Sequence, residues 1–254
     1  MNLSKGFSKK KMTDFKKYSE NFLNLYTDET PEILLKFFDK NKLNLSVLDL
    51  GCGDGALLMF LYHKGYLKNA KRIVGVDLSL ERLKRIRSQK ILSIQLICSD
   101  ACSVKQLDDN SFDYIFNTQV IEHVPDDKVL LVEIRRLLKK NGILYISSVV
   151  KRRYGWYVHR NNGRWVLDPT HVREYSSEKE FVSRVRSAGF KILESKITQY
   201  KFIPIEFFVR RIYFPIFKPQ NINSFFLRHK ILNKLRLIKI PVIGYYTIEV
   251  VAEK

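Results

Sequence analysis

The sequence predicts an α/β fold built on a doubly wound, parallel sheet. Short apolar runs alternate with segments of helical apolar spacing from Leu45 onward. One run ends in Gly51-Cys-Gly53-Asp-Gly55, directly before a helical pattern. The 254 residues, 45% hydrophobic and 13% aromatic, suffice for a full core without disulfides or metals, and exclude a disordered chain.

Each element follows from local pattern. Apolar residues recur at helical spacing over Thr13–Tyr26 and Pro31–Lys40, where Pro31 after Thr30 suits a cap and a first-turn proline. A strand at Leu45–Leu50 leads through the glycines to a helix at Ala56–Lys64. A strand at Arg72–Asp77 precedes a helix at Leu80–Ser88, and further strands are expected at Ser93–Cys98 and Phe112–Asn117. A helix at Asp127–Lys139 precedes a strand at Gly142–Val149. A loop at Lys151–Val172, a helix at Ser177–Ala188 and strands at Lys191–Ile197 and Tyr245–Val251 complete the order. Residues 1–44 thus read as a basic lead with helices, 45–199 as the ligand-binding core, 200–243 as an inserted basic-aromatic helical segment and 244–254 as the last strand.

Charge is unevenly placed. The chain carries 45 Lys+Arg against 26 Asp+Glu, net +19. Residues 1–17 contribute +5, 151–165 another +5 and 200–246 +8, leaving +1 for the other 175 residues. The longest uncharged run, Asn141–Val150, is 10 residues, short of the roughly 20 a membrane helix needs. No apolar stretch follows the basic start, so no secretory signal is expected. Three cysteines, Cys52, Cys98 and Cys102, lie in or beside apolar runs, which suits a reduced, cytoplasmic protein.

The glycine loop admits two ligands. Gly51, Gly53 and Ala56 match the dinucleotide fingerprint, with Asp77 placed for a ribose. A pyrophosphate, however, wants bare N–H groups and no anion nearby, whereas Asp49 and Asp54 flank or enter the loop. Two carboxylates suit a cationic ligand such as S-adenosylmethionine.

Asp49-Leu-Gly51-Cys-Gly53-Asp-Gly55 resembles motif I of the class I S-adenosylmethionine-dependent methyltransferases. Val74-Gly-Val-Asp77-Leu-Ser, Cys98-Ser-Asp100-Ala101, Phe112–Asn117 with Gln119-Val-Ile-Glu-His123, Leu137–Gly142, and His171–Ser176 with Gly189-Phe190 resemble the later landmarks in order. The likeness spans about residues 45–198 and is nearest the small-molecule branch with ubiquinone, menaquinone and sugar methyltransferases. It implies a Rossmann-like sheet of seven strands, helices on both faces, and an antiparallel last strand. It also implies that Asp49, Gly51, Cys52, Gly53 and Gly55 hold S-adenosyl-L-methionine with Asp77, Leu78, Asp100, Ala101, Asn117 and Gln119, where Asp77 binds the ribose and Asp100 faces the adenine amine.

Methyl transfer to a hydroxyl needs alignment and a base. His123, past the fourth strand, and His171 are the candidates, with Tyr154, Tyr175 and the loop residue His159 nearby in sequence. Certain relatives, RNA 3′-terminal 2′-O-methyltransferases and quinone O-methyltransferases, hold a divalent metal with Glu-x-x-Glu-His and a distant His. Gln119 replaces the first acid here, and no metal is expected.

Residues 200–246 hold 11 of the 32 aromatics. Leu227, Ile231, Leu235 and Ile238 recur at helical spacing. Core packing, a dimer interface, nucleic-acid binding and contact with an anionic membrane at its inner face all fit this segment. Lys151–Arg153, Arg160 and Arg164 are expected to face the acceptor pocket and to select an anionic acceptor. The expected function is methyl transfer to a small acceptor, anionic and lipid-linked or glycosylated. The alternatives are an RNA methyltransferase, a nicotinamide oxidoreductase and a non-catalytic scaffold.

Overall fold

The computed structural model describes residues 31–88, 93–157, 159–161, 163–213, 216 and 229–254. The basic lead 1–17, the helix expected over Thr13–Tyr26, and Leu227 lie outside the described residues.

Nine strands and seven α-helices are described. In chain order they are α1 (Glu32–Phe37), β1 (Leu45–Leu50), α2 (Ala56–His63), β2 (Ala70–Asp77), α3 (Leu80–Ser88), β3 (Gln95–Cys98), β4 (Phe112–Thr118) and α4 (Asp127–Leu137). There follow β5 (Leu138–Lys151), β6 (His159–Asn161), β7 (Arg164–Val166), α5 (Glu178–Ser187), β8 (Lys191–Phe202), α6 (Pro204–Phe208), a π-helical turn (Val209–Tyr213), α7 (Lys230–Leu235) and β9 (Ile240–Glu253).

The main sheet runs β3-β2-β1-β4-β5-β9-β8. β1 to β5 pair in parallel, and β9 is antiparallel to both neighbours. The seven strands and the reversed last strand agree with the expected architecture. β1 and β4 are buried along nearly their whole length, as parallel strands covered on both faces must be. β8, an edge strand, is half-buried along most of its length and exposed at Lys191 and Lys201.

Two cores flank the sheet. Leu130, Ile134, Phe181 and Val185 of α4 and α5 pack on Leu48, Leu50, Ile115 and Ile146. On the other face Ile33, Leu34, Leu58 and Leu61 of α1 and α2 pack on Leu45, Val47, Phe116 and Val251. Helix starts follow their caps: Asp126 accepts from Lys128 N–H and Ser177 from Glu180 N–H.

Several boundaries differ from the sequence reading. β5 starts at Leu138, pairing with Phe112 before Gly142 is reached. The expected loop 151–172 contains the β6–β7 hairpin. β8 and β9 run on past the sheet body to Phe202↔Ile240, beyond the limits Ile197 and Tyr245 read from apolar runs. The described part of the 227–238 stripe is not core: Ile231 is 78% and Ile238 54% exposed. Its helical spacing is real, but no residue of α7 is buried among the described residues.

Candidate active site

The site forms at the carboxyl ends of β1, β2, β3 and β4, where a doubly wound sheet opens a crevice. After β1 the chain turns back on itself: Gly51 N–H and Cys52 N–H both donate to Val76 O, at 2.7 and 2.9 Å. Gly51 has φ +88°, and a Cβ there would stand 2.2 Å from Val120 Cγ2, so only glycine fits beneath that valine. The Cys52 thiol sits over Gly75, and burial, with Asp49 and Asp77 next, holds it protonated.

Two buried acceptors at this loop have no hydrogen-bond partner among the described residues, Asp49 Oδ1 and Asn117 Oδ1. Asn117 donates its Nδ2 to Leu50 O at 2.7 Å, which fixes its oxygen. Burial, with the Asp77 charge next, pushes the Asp49 carboxyl up to about 8. A ligand donating hydrogen bonds and carrying positive charge suits both atoms; a phosphate suits neither. Asp54 adds little to that choice, because Arg85 pairs with it at 2.6 Å.

Asp77 accepts Gly53 N–H at 2.9 Å and Ser79 N–H at 2.8 Å, one on each oxygen. It therefore ties the glycine loop to the end of β2, and its remaining lone pairs are what a ribose could use. Burial raises its pKa, against the pull of Arg82 and both N–H groups. Arg82, one turn into α3, is buried. Its charge reaches Asp77, Cys52 and His123, a link the sequence reading missed. Asp100, half-buried after β3, accepts Cys102 N–H at 2.9 Å, and Ser99 N–H meets Asp77 O. Leu78 and Ala101 lie half-buried on the same rim. Gln119 adopts φ +55° and turns its amide to Ser147 Oγ.

Beyond Val120 the chain places Glu122 and His123 against the loop that follows β7. Val172 N–H donates to Glu122 O at 2.9 Å, and the Arg173 guanidinium donates to the carbonyls of Ile121, Val124 and Pro125. This brings His123 and His171 together edge to face, ring centroids 4.8 Å apart. Donor atoms of Glu122, His123 and His171 all lie within 4.8 Å of one another. Ser148 donates to Glu122 Oε2 at 2.9 Å, while buried Oε1 has no hydrogen-bond partner among the described residues.

The two imidazoles are driven apart in basicity. Burial, then the His171 charge, lowers His123 to about 4, against Asp168 and a Thr170 main-chain hydrogen bond. Burial also depresses His171, but its 2.9 Å hydrogen bond to Glu174, with Glu122 and Asp168 nearby, carries it above the usual value. Burial raises Glu122 to about 6, opposed first by His171. Such a split assigns the proton-free ring to His123. Tyr175 is elsewhere, buried and donating to Asp127.

On the loop after β5 and the β6–β7 hairpin, Trp156 and Tyr154 are exposed, Trp156 lies edge-on to Trp165 at 5.7 Å, and the Arg160 guanidinium stacks on Trp165 at 4.0 Å. Arg153 and Arg164 are exposed. Lys151 is not part of such a rim, since it turns inward to Trp165 O and Glu174.

A family model for a methyltransferase domain matches residues 48–146. The ubiquinone/menaquinone biosynthesis C-methyltransferase of Campylobacter jejuni is 25% identical over 177 residues, 61% of this chain and 74% of that one. The ubiquinone biosynthesis O-methyltransferase of Pelagibacter ubique is 32% identical over 114 residues, 44% of this chain and 45% of that one. The matched methyltransferase domain and these methyltransferase relatives support a class I S-adenosylmethionine-dependent methyltransferase. In fold this methyltransferase is similar to a [4+2]-cyclase, TM-score 0.62 at 22% identity, covering 87% of this chain and 78% of the other. A putative methyltransferase from Bacillus halodurans gives 0.60 at 18% identity, covering 88% and 97%. It is a small-molecule type of methyltransferase by its ubiquinone-related relatives.

The sequence reading named Glu122, His123 and His171, but not the residues that hold them: Asp168, Thr170, Arg173 and Glu174. The run Asp168-Pro-Thr170 carried a usable signal, because an aspartate two residues before a threonine N–H favours a local turn.

Proposed function

We propose that this methyltransferase transfers a methyl group to a hydroxyl of a small, anionic, partly apolar acceptor, lipid-linked or glycosylated. Asp49, Asn117, Asp77 and Asp100 hold the cofactor, and His123 takes the acceptor's proton. The carrying observation is the pair of buried acceptors Asp49 Oδ1 and Asn117 Oδ1 beside the glycine loop, partnerless among the described residues. They fit the ammonium of S-adenosylmethionine and leave a nicotinamide dinucleotide's phosphates unfavoured. When bound, the cofactor supplies a methyl on a positively charged sulfur. His123, enclosed and proton-free at neutral pH, accepts the hydroxyl proton, and His171 beside it is held by Glu174.

The aromatic-basic loop and hairpin support the acceptor class. Trp156 and Tyr154 offer apolar faces, and Arg153, Arg160 and Arg164 offer charge. α6, α7 and the turn between them extend this face with exposed Phe207, Phe208, Ile212 and Ile231, which also suits an anionic lipid surface. No described helix is long and apolar enough to cross a membrane.

The test is labelled-methyl transfer from S-adenosylmethionine into a cell extract, resolved by mass. Label in small anionic molecules, lost in His123→Ala, is expected. Label in RNA would overturn the acceptor class, and stabilisation by NAD(H) without S-adenosylmethionine would overturn the cofactor. A second reading comes from the Glu122, His123 and His171 donors, which suit a divalent cation. Loss of turnover on chelation, restored by one added metal, would favour it.

A further inference from the structure

We propose that Asp168 and Thr170 form a relay that fixes the His123 imidazole as its Nδ1–H tautomer, so that Nε2 holds the lone pair. Both are positioning residues, and the inference rests on the reading of His123 as the base. The direction of each hydrogen bond is forced from one end. The Asp168 carboxylate has no hydrogen to give, so the Thr170 hydroxyl, 2.5 Å from Oδ1, directs its single proton there. Thr170 Oγ1 then meets His123 Nδ1 at 3.0 Å only as an acceptor. Nδ1 therefore carries the hydrogen.

The relay is itself held. Thr170 N–H donates to the same Asp168 oxygen at 2.7 Å, and His171 N–H donates to Asp168 O at 3.1 Å. The next ring is treated alike: Glu174 Oε1 lies 2.9 Å from His171 Nδ1. One loop, between β7 and α5, thus grips both imidazoles by the same nitrogen. An imidazole free in water prefers its proton on Nε2, so the grip reverses the default and presents a lone pair where a base needs one.

Histidine-selective ¹⁵N NMR of the full chain tests this, with His123 assigned by the signals lost in His123→Asn. The wild type and Thr170→Ser are expected to show the protonated nitrogen at Nδ1. Thr170→Val and Asp168→Asn are expected to move population to the Nε2–H form. A wild-type ring protonated at Nε2, or a Thr170→Val ring like the wild type, overturns the relay. In the labelled-methyl assay, Thr170→Val should cut turnover tenfold or more with cofactor affinity unchanged, as a wrong tautomer does elsewhere, and Thr170→Ser should restore it. Full turnover in Thr170→Val despite a shifted tautomer removes the positioning role. Full turnover in His123→Asn would instead sink the base assignment and leave the tautomer result standing.

Discussion

Asp49 is the residue on which the proposed cofactor binding and pH meet. Burial, then Asp77, lifts its carboxyl to about 8. Being raised, it favours the fold fully below about pH 4, the unfolded value, and that contribution is lost as pH rises toward 8. A bound cation reverses the preference, because it needs the carboxylate. S-adenosylmethionine should therefore bind more tightly from pH 5.5 to 7.5, by up to about tenfold per unit, and release a proton on binding. Calorimetry in buffers of different ionisation enthalpy reads both, and Asp49→Asn should abolish the proton release. Gly51 makes a steric prediction. Gly51→Ala brings a Cβ to 2.2 Å from Val120 Cγ2 at φ +88°, and should cost about 2–4 kcal/mol in denaturant unfolding. Adding Val120→Ala should recover only the clash. These residues were legible in the sequence because each sits at a strand's end, within a few positions of its glycine or apolar run. Thr170 was not, since it meets His123 from 47 positions away.

The helices and strands position the site, but two loops assemble it. The segment after β4 carries Glu122 and His123, and the segment after β7 carries His171. Arg173 joins them, donating at 2.7, 2.6 and 2.6 Å to the carbonyls of Ile121, Val124 and Pro125. A lysine cannot span three divergent acceptors from one nitrogen. Arg173→Lys should therefore lower turnover while cofactor affinity, assigned above to side chains at the ends of β1 to β4, stays unchanged. Arg173→Ala should lose about 2–3 kcal/mol in thermal or denaturant melts. Equal loss of cofactor binding would show that the two halves of the site are not independent. Periodicity identified β1, β4 and the inner parts of β2 and β5 because burial on both faces writes itself as apolar runs. It said little of the β6–β7 hairpin, whose three-residue strands are too short for a period, or of where β8 and β9 end.

Across the whole sequence, the +19 charge separates into a nearly neutral body and three basic segments, of which the lead 1–17 lies outside the described residues. The structure divides those segments again. Lys151 is tied to Glu174 and Trp165 O, and Arg236 to Glu206 at 3.0 Å, so neither charge is spent on a ligand. Arg153, Arg160 and Arg164 remain exposed, Arg160 braced on Trp165. On the proposed reading, charge held this way acts on the anionic acceptor before and during binding, not on the methyl-transfer step. Arg153→Gln with Arg160→Gln should therefore raise the acceptor's KM severalfold at low salt and leave kcat and cofactor affinity alone. The difference from wild type should shrink toward zero near 1 M salt, where the screening length falls to about 3 Å. Arg160→Lys separates the two parts of the braced arginine: it keeps the charge and loses the planar stack on Trp165. If the lysine variant behaves as wild type, charge alone selects the acceptor. If it behaves as Arg160→Gln, the guanidinium plane over Trp165 is part of the acceptor's seat.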